Sequence, residues 1–81
     1  MPSIDFDLDP DREFVELNQL LKLAGLCDSG GAGKQLVASG AVQVDGQREG
    51  RKTAKIRAGQ TVRVGDVAIR VVAPAGQDPQ P

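Results

Sequence analysis

Five cations fall within residues 48–57: Arg48, Arg51, Lys52, Lys55 and Arg57, with Glu49 the one acid among them. Cationic groups this close together raise the local potential that a polyanion would meet. The chemistry they suit is electrostatic: neutralising phosphates and releasing their counterions. A second anion-friendly stretch lies upstream, where Ser29 precedes Gly30-Gly31-Ala32-Gly33-Lys34. A helix opening there leaves its first N–H groups without intrahelical partners, and these attract negative charge. The candidate contact residues are therefore Ser29, Gly30, Gly31 and Lys34 at the helix entrance, with Arg48, Arg51, Lys52, Lys55 and Arg57 in the basic stretch. Each group also has a plainer reading. A run of charges can be a solvated face. Glycines inside a helix are each disfavoured by roughly 1 kcal/mol against alanine, yet they also serve where a neighbouring helix packs close.

Enzyme chemistry finds little to work with. The chain has no histidine, and its one cysteine, Cys27, lacks that base to activate it. A small, partly buried side chain is the reading Cys27 supports. Metal ligation by thiolate or imidazole is excluded by counting, so no metal or other cofactor is expected. The run Gly30–Lys34 invites comparison with a nucleotide-binding P-loop, but the first glycine of that motif would fall on Asp28. Gln35 stands where a hydroxyl should hold Mg²⁺, and no strand of parallel-sheet type precedes it.

These groups need elements to hold them. Ile4, Phe6 and Leu8 alternate with Asp5, Asp7 and Asp9, the period of a short edge strand with one acidic face. Leu17, Leu20, Leu21 and Ala24 form one helical stripe, extended back by Phe14, with Asn18, Gln19 and Lys22 on the opposite face. This spacing predicts a helix from Glu16 to Ala24, ended by Gly25. Asp28 or Ser29 caps a second helix carrying Ala32, Leu36 and Val37 and stopped at Gly40. Val42-Gln43-Val44 reads as a strand, Asp45-Gly46 as a two-residue hairpin turn, and Gln47–Glu49 as its return. Residues 50–55 have no apolar period and read as a loop with Ile56 as its anchor. Strands 61–64 and 67–72 follow, with Arg63 and Arg70 facing outward. The fold class is α+β, two short helices packed on a small curled antiparallel sheet. The expected core is Leu17, Leu20, Leu21, Leu36, Val37, Val42, Val44, Ile56, Val62, Val64 and Ile69.

The net charge of −1 conceals a division. Residues 1–16 carry −5 and the remainder +4. The expected organisation is an acidic N-terminal arm over residues 1–11, a binding domain over 12–73 and a disordered Pro/Gln-rich tail over 74–81. No apolar run approaches a membrane span, and the acidic N-terminus does not resemble a signal peptide. A cytoplasmic, monomeric, non-catalytic protein with no membrane partner is the expectation. Phe6 and Phe14 are the only aromatics, so a base-stacking platform is not available. If the polyanion is a nucleic acid, backbone charge and shape must do the recognising, which suits folded RNA. An adaptor whose basic face docks an acidic protein is the alternative. A ubiquitin-like sulfur carrier is disfavoured because the sequence ends Gln80-Pro81 instead of Gly-Gly.

Three linked segments, ELNQLLKLAGL, SGGAGKQLVASGAVQVDG and RKTAKIRAGQTVRVG, together resemble the RNA-binding domain named after ribosomal protein S-four. They look most like its small stand-alone, YbcJ-like members. The resemblance covers roughly Val15 to Val72. It implies an α-L RNA-binding fold in which the second helix, hairpin and loop face structured RNA, ribosomal or transfer RNA being the candidates. By position it implies contacts from Ser29, Lys34, Arg51, Lys52 and Lys55. Many members of the wider family carry an arginine directly after the serine. Gly30 stands there in this chain, which shifts weight from the helix entrance to the loop.

Overall fold

A computed structural model describes residues 3–73. The tail expected over 74–81 lies outside the described residues. In chain order the elements are β1 (Ser3–Asp7), β2 (Val15–Glu16), α1 (Leu17–Leu23), α2 (Gly30–Ala38), β3 (Val42–Val44), β4 (Gln47–Arg48), β5 (Lys55–Ile56), β6 (Thr61–Val64) and β7 (Val67–Val72). Five strands form a sheet in the order β1-β7-β6-β3-β4, while β2 and β5 make a separate two-stranded sheet. No helix among the described residues is long and apolar enough to cross a membrane.

The turns sit where the sequence puts them. Gly25 (φ +86°) follows α1 and Gly40 (φ +83°) follows α2, both in the left-handed region that favours glycine. At the β3–β4 hairpin both central residues have positive φ, Asp45 at +52° and Gly46 at +85°, as a type I′ turn demands. Asp45 also ties the hairpin to β6. Its Oδ1 accepts from the Thr61 N–H at 3.0 Å and its Oδ2 from Gln60 Nε2 at 3.1 Å. These two bonds hold its carboxyl below the usual carboxylate range.

Two sheet features differ from the expectation. β1 joins β7 in parallel, with Phe6 opposite Val71, so the sheet is mixed. β1 is the edge strand expected from its alternation, and it is built into the sheet. The Leu8 N–H continues the pairing to the Val72 carbonyl at 3.0 Å, and its side chain is buried. Second, Lys55 and Ile56, read as loop and anchor, pair antiparallel with Glu16 and Val15. A two-residue strand has no room for a period, which is why alternation could not reveal either partner.

The core contains Leu17, Leu20, Leu21, Val37, Val42, Ile56, Val62 and Ile69 as expected, and adds Leu8, Val15, Ala54 and Val71. Leu36, Val44 and Val64 pack against it half-buried. Two assignments on the first helix are corrected. Phe14 precedes β2 and is not on the helix. Asn18, placed on the polar face, is 3% exposed.

Candidate functional site

Helix α1 begins without a side-chain cap, since Glu16 makes no such bond. The basic loop does the capping with its backbone. The Leu17 N–H donates to the Ala54 carbonyl at 2.8 Å, and the Asn18 N–H to the Lys52 carbonyl at 3.1 Å. Two otherwise orphaned helix amides are satisfied this way. The loop was expected to give only Ile56 to the core. Ala54 is buried as well, so the segment is pinned at two side chains and two carbonyls.

The entrance of α2 meets the same residue. Asn18 Nδ2 donates to the Gly30 carbonyl at 3.4 Å, a long bond. Asn18 Oδ1 is buried with no partner among the described residues. A methyl group on Gly33 would lie 2.6 Å from the Asn18 carbonyl oxygen, and one on Gly30 would lie 2.8 Å from Gln19 Nε2. Close helix packing therefore accounts for Gly33 and, against a more yielding side chain, for Gly30. Gly31 faces open space, with only Ser29 Oγ nearby at 3.8 Å. Ser29 is the cap: its Oγ accepts from the Ala32 N–H at 3.1 Å. That bond uses an acceptor lone pair of the oxygen and leaves the O–H itself able to donate. The entrance also offers an anion the amides of Gly30 and Gly31, which precede the first intrahelical bond, from the Gly33 N–H to the Ser29 carbonyl.

The cations do not form one free cluster. Arg51 grips Glu49 through Nε–Oε2 at 3.1 Å and Nη2–Oε1 at 3.3 Å, and its own N–H donates to Oε2 at 2.9 Å. The bonds from Arg51 hold the Glu49 carboxyl below its usual range. Arg57 Nη1 lies 3.7 Å from Glu13 Oε1, with both groups exposed, a pairing of small energetic weight. Lys55 Nζ stands 5.1 Å from the centroid of the Phe14 ring and opposite Glu16 in the β2–β5 register. Lys34, Arg48 and Lys52 are exposed and enter no ion pair among the described residues. Arg48 bends toward the C-terminal end of α2, where a methyl group on Gly40 would be 3.5 Å from its Nη1. It lines a cleft of about 310 Å³ with Val37, Ser39, Gly40 and Glu49.

Lys52 and Gly30 are thus brought to one residue, Asn18, which sequence reasoning missed. The glycines at 30 and 33 signal that something packs close, but not which residue does. Arg63, expected to face outward from its strand, shares an exposed row of the sheet with Arg48 through Gln43, which is in register with both. Arg70 lies farther off, opposite Thr61 and Asp5.

Two packed helices, a hairpin and a basic loop pinned to the first helix make a recognisable unit, and a family model of the S4 domain matches residues 8–72. The chain belongs to the S4 domain family. Among S4 relatives, the YbcJ proteins of Escherichia coli strain K12 and Shigella flexneri are each 51% identical to it over 59 residues, spanning 73% of this chain and 84% of theirs. The solution structure of YbcJ from Escherichia coli, described as revealing an αL motif involved in RNA-binding, matches with a TM-score of 0.67 and 46% identity. The match covers 85% of this chain and 86% of that one. This S4 domain therefore has the α-L fold that the sequence resemblance implied.

Proposed function

We propose that this S4 domain is a non-catalytic RNA-binding protein that recognises folded RNA, ribosomal or transfer RNA being the candidates. It would do so through the basic loop and the entrance of α2. The observation that carries this reading is the joint at Asn18. The Lys52 carbonyl and the Gly30 carbonyl both bond to it, so two anion-attracting features far apart in sequence adjoin in space. The RNA-binding role described for the αL motif of YbcJ supports the same conclusion at an identity close to one half.

In this reading Lys34, Arg48 and Lys52 are free to meet phosphates at once, and Gly30 and Gly31 offer backbone amides. Ser29 caps the entrance through its oxygen and can still donate its O–H to a phosphate. Lys55 and Arg57 contribute long-range field more than direct contact. Shape matters because the loop is held by Ala54 and Ile56 and no stacking platform is at hand. The test is a binding titration with an RNA hairpin and with an unstructured strand of matched length. Preference for the hairpin, lost progressively with salt, is the expected result. No binding to either RNA at low salt would remove the RNA reading and leave the acidic-protein adaptor in front. If the hairpin is preferred, crosslinking followed by sequencing identifies the bound RNA in cells.

A further inference from the structure

The Glu49–Arg51 pair is unequal. The Arg51 side chain is 81% exposed, while that of Glu49 is only 16% exposed. Glu49 is held in place on the backbone side too, because its N–H donates to the Val42 carbonyl at 3.0 Å. A guanidinium has five N–H donors in a rigid fork. Glu49 engages one edge of it, Nε and Nη2. The opposite edge, Nη1 and the second hydrogen of Nη2, has no partner among the described residues. That edge matches two phosphate oxygens.

We propose that Glu49 is a positioning residue for RNA binding: it fixes the Arg51 guanidinium by its Nε–Nη2 edge so that the Nη1–Nη2 edge is presented to a backbone phosphate. An acid in the middle of a basic loop would then aid binding of a polyanion. Holding the fork in one orientation removes side-chain entropy that the free arginine would lose on binding. The Arg51 N–H bond to the same carboxylate at 2.9 Å stops the backbone from swinging the side chain away. The proposal rests on the RNA-binding reading and adds to it a residue whose charge has the wrong sign for direct contact.

That wrong sign makes the test sharp. Removing an anion beside a polyanion's site should strengthen binding if charge alone matters. Glu49→Gln and Glu49→Ala are titrated with an RNA hairpin at several salt concentrations. Circular dichroism checks folding, and the NMR signal of Arg51 Nε–Hε reports whether the fork is held. The expected result is roughly tenfold weaker binding, the scale of one hydrogen bond to a charged group. The salt slope should flatten by about 0.7 to 0.9, the share of one phosphate. In an Arg51→Ala background, Glu49→Ala should then cause no further loss. Unchanged or tighter binding by the Glu49 variants, with wild-type binding intact, overturns the proposal and leaves the RNA reading standing. Failure of the wild-type protein to bind the hairpin overturns both.

Discussion

At the scale of single residues, Asn18 and the three glycines of α2 show how a site is shaped by packing before any ligand arrives. Gly33 has no room for a methyl group because the α1 backbone is in the way, whereas Gly31 has room. Gly33→Ala is expected to cost about 1–3 kcal/mol, the usual range for overpacking. Gly31→Ala should raise stability by up to about 1 kcal/mol through helix propensity. Urea denaturation of the two variants measures both, and a loss from each would contradict the assignment of Gly31 to open space. If phosphate approaches the Gly31 amide, the same stabilised variant should bind RNA more weakly. Asp45 makes a separate, pH-dependent case. Its folded carboxyl titrates lower than in the unfolded chain because Thr61 and Gln60 bond to the charged form. The stabilisation is therefore fully present above the unfolded value, near pH 4, and fades as the pH falls through the lower folded value. Wild type and Asp45→Asn should differ in melting temperature at neutral pH and converge as the pH falls through the lowered folded value. A constant gap across that window would show that the bonds are indifferent to charge.

At the scale of elements, long periods could be read from the sequence and short ones could not. The α1 stripe spans two turns, and its bounds follow from Leu17, Leu20 and Leu21 together with Gly25. The β3–β4 hairpin follows from Asp45-Gly46 alone. β2 and β5 are two residues each, too short for alternation, and their pairing joins segments separated by both helices. Asn18 was misplaced for a related reason: helical spacing defines a stripe centred on leucines, while the tight approach of Gly33 widens the buried face by one residue. β1 was readable as a strand, but its partner was not. Its parallel docking on β7 changes how the acidic segment should be tested. Deleting Met1–Asp9 would remove an edge strand and the buried Leu8, so it would confuse folding with charge. Leu8→Ala alone is expected to cost about 2–5 kcal/mol by denaturant titration. Asp5→Asn with Asp7→Asn leaves the inward residues Ile4 and Phe6 in place. If these acids screen the RNA, the double variant should bind more tightly at low salt and match wild type at high salt. Equal affinity throughout would leave the acids a structural or solubility role.

At the scale of the whole molecule, one structural joint connects charge to fold. The basic loop caps α1 with its carbonyls, buries Ala54 and Ile56, and meets the α2 entrance at Asn18. Composition alone identified the cations, and the Ser29-Gly30-Gly31 run hinted at the helix entrance. Which cations stay free depends on partners no linear pattern reveals, such as Glu13 beside Arg57 or Phe14 beneath Lys55. The central claim is that location, and not total charge, makes this S4 domain bind folded RNA. It is tested most directly by comparing two charge-matched double variants, Arg51→Ala/Lys52→Ala and Lys22→Ala/Arg70→Ala, for affinity to an RNA hairpin across salt. Both pairs are exposed, and circular dichroism checks that both variants fold. If Arg51 and Lys52 each neutralise a phosphate, the first variant should lose affinity for every folded RNA and flatten the slope of log K against log salt by roughly 1–2 units. The second should stay close to wild type in slope. Equal losses and equal slopes for the two variants would contradict the claim.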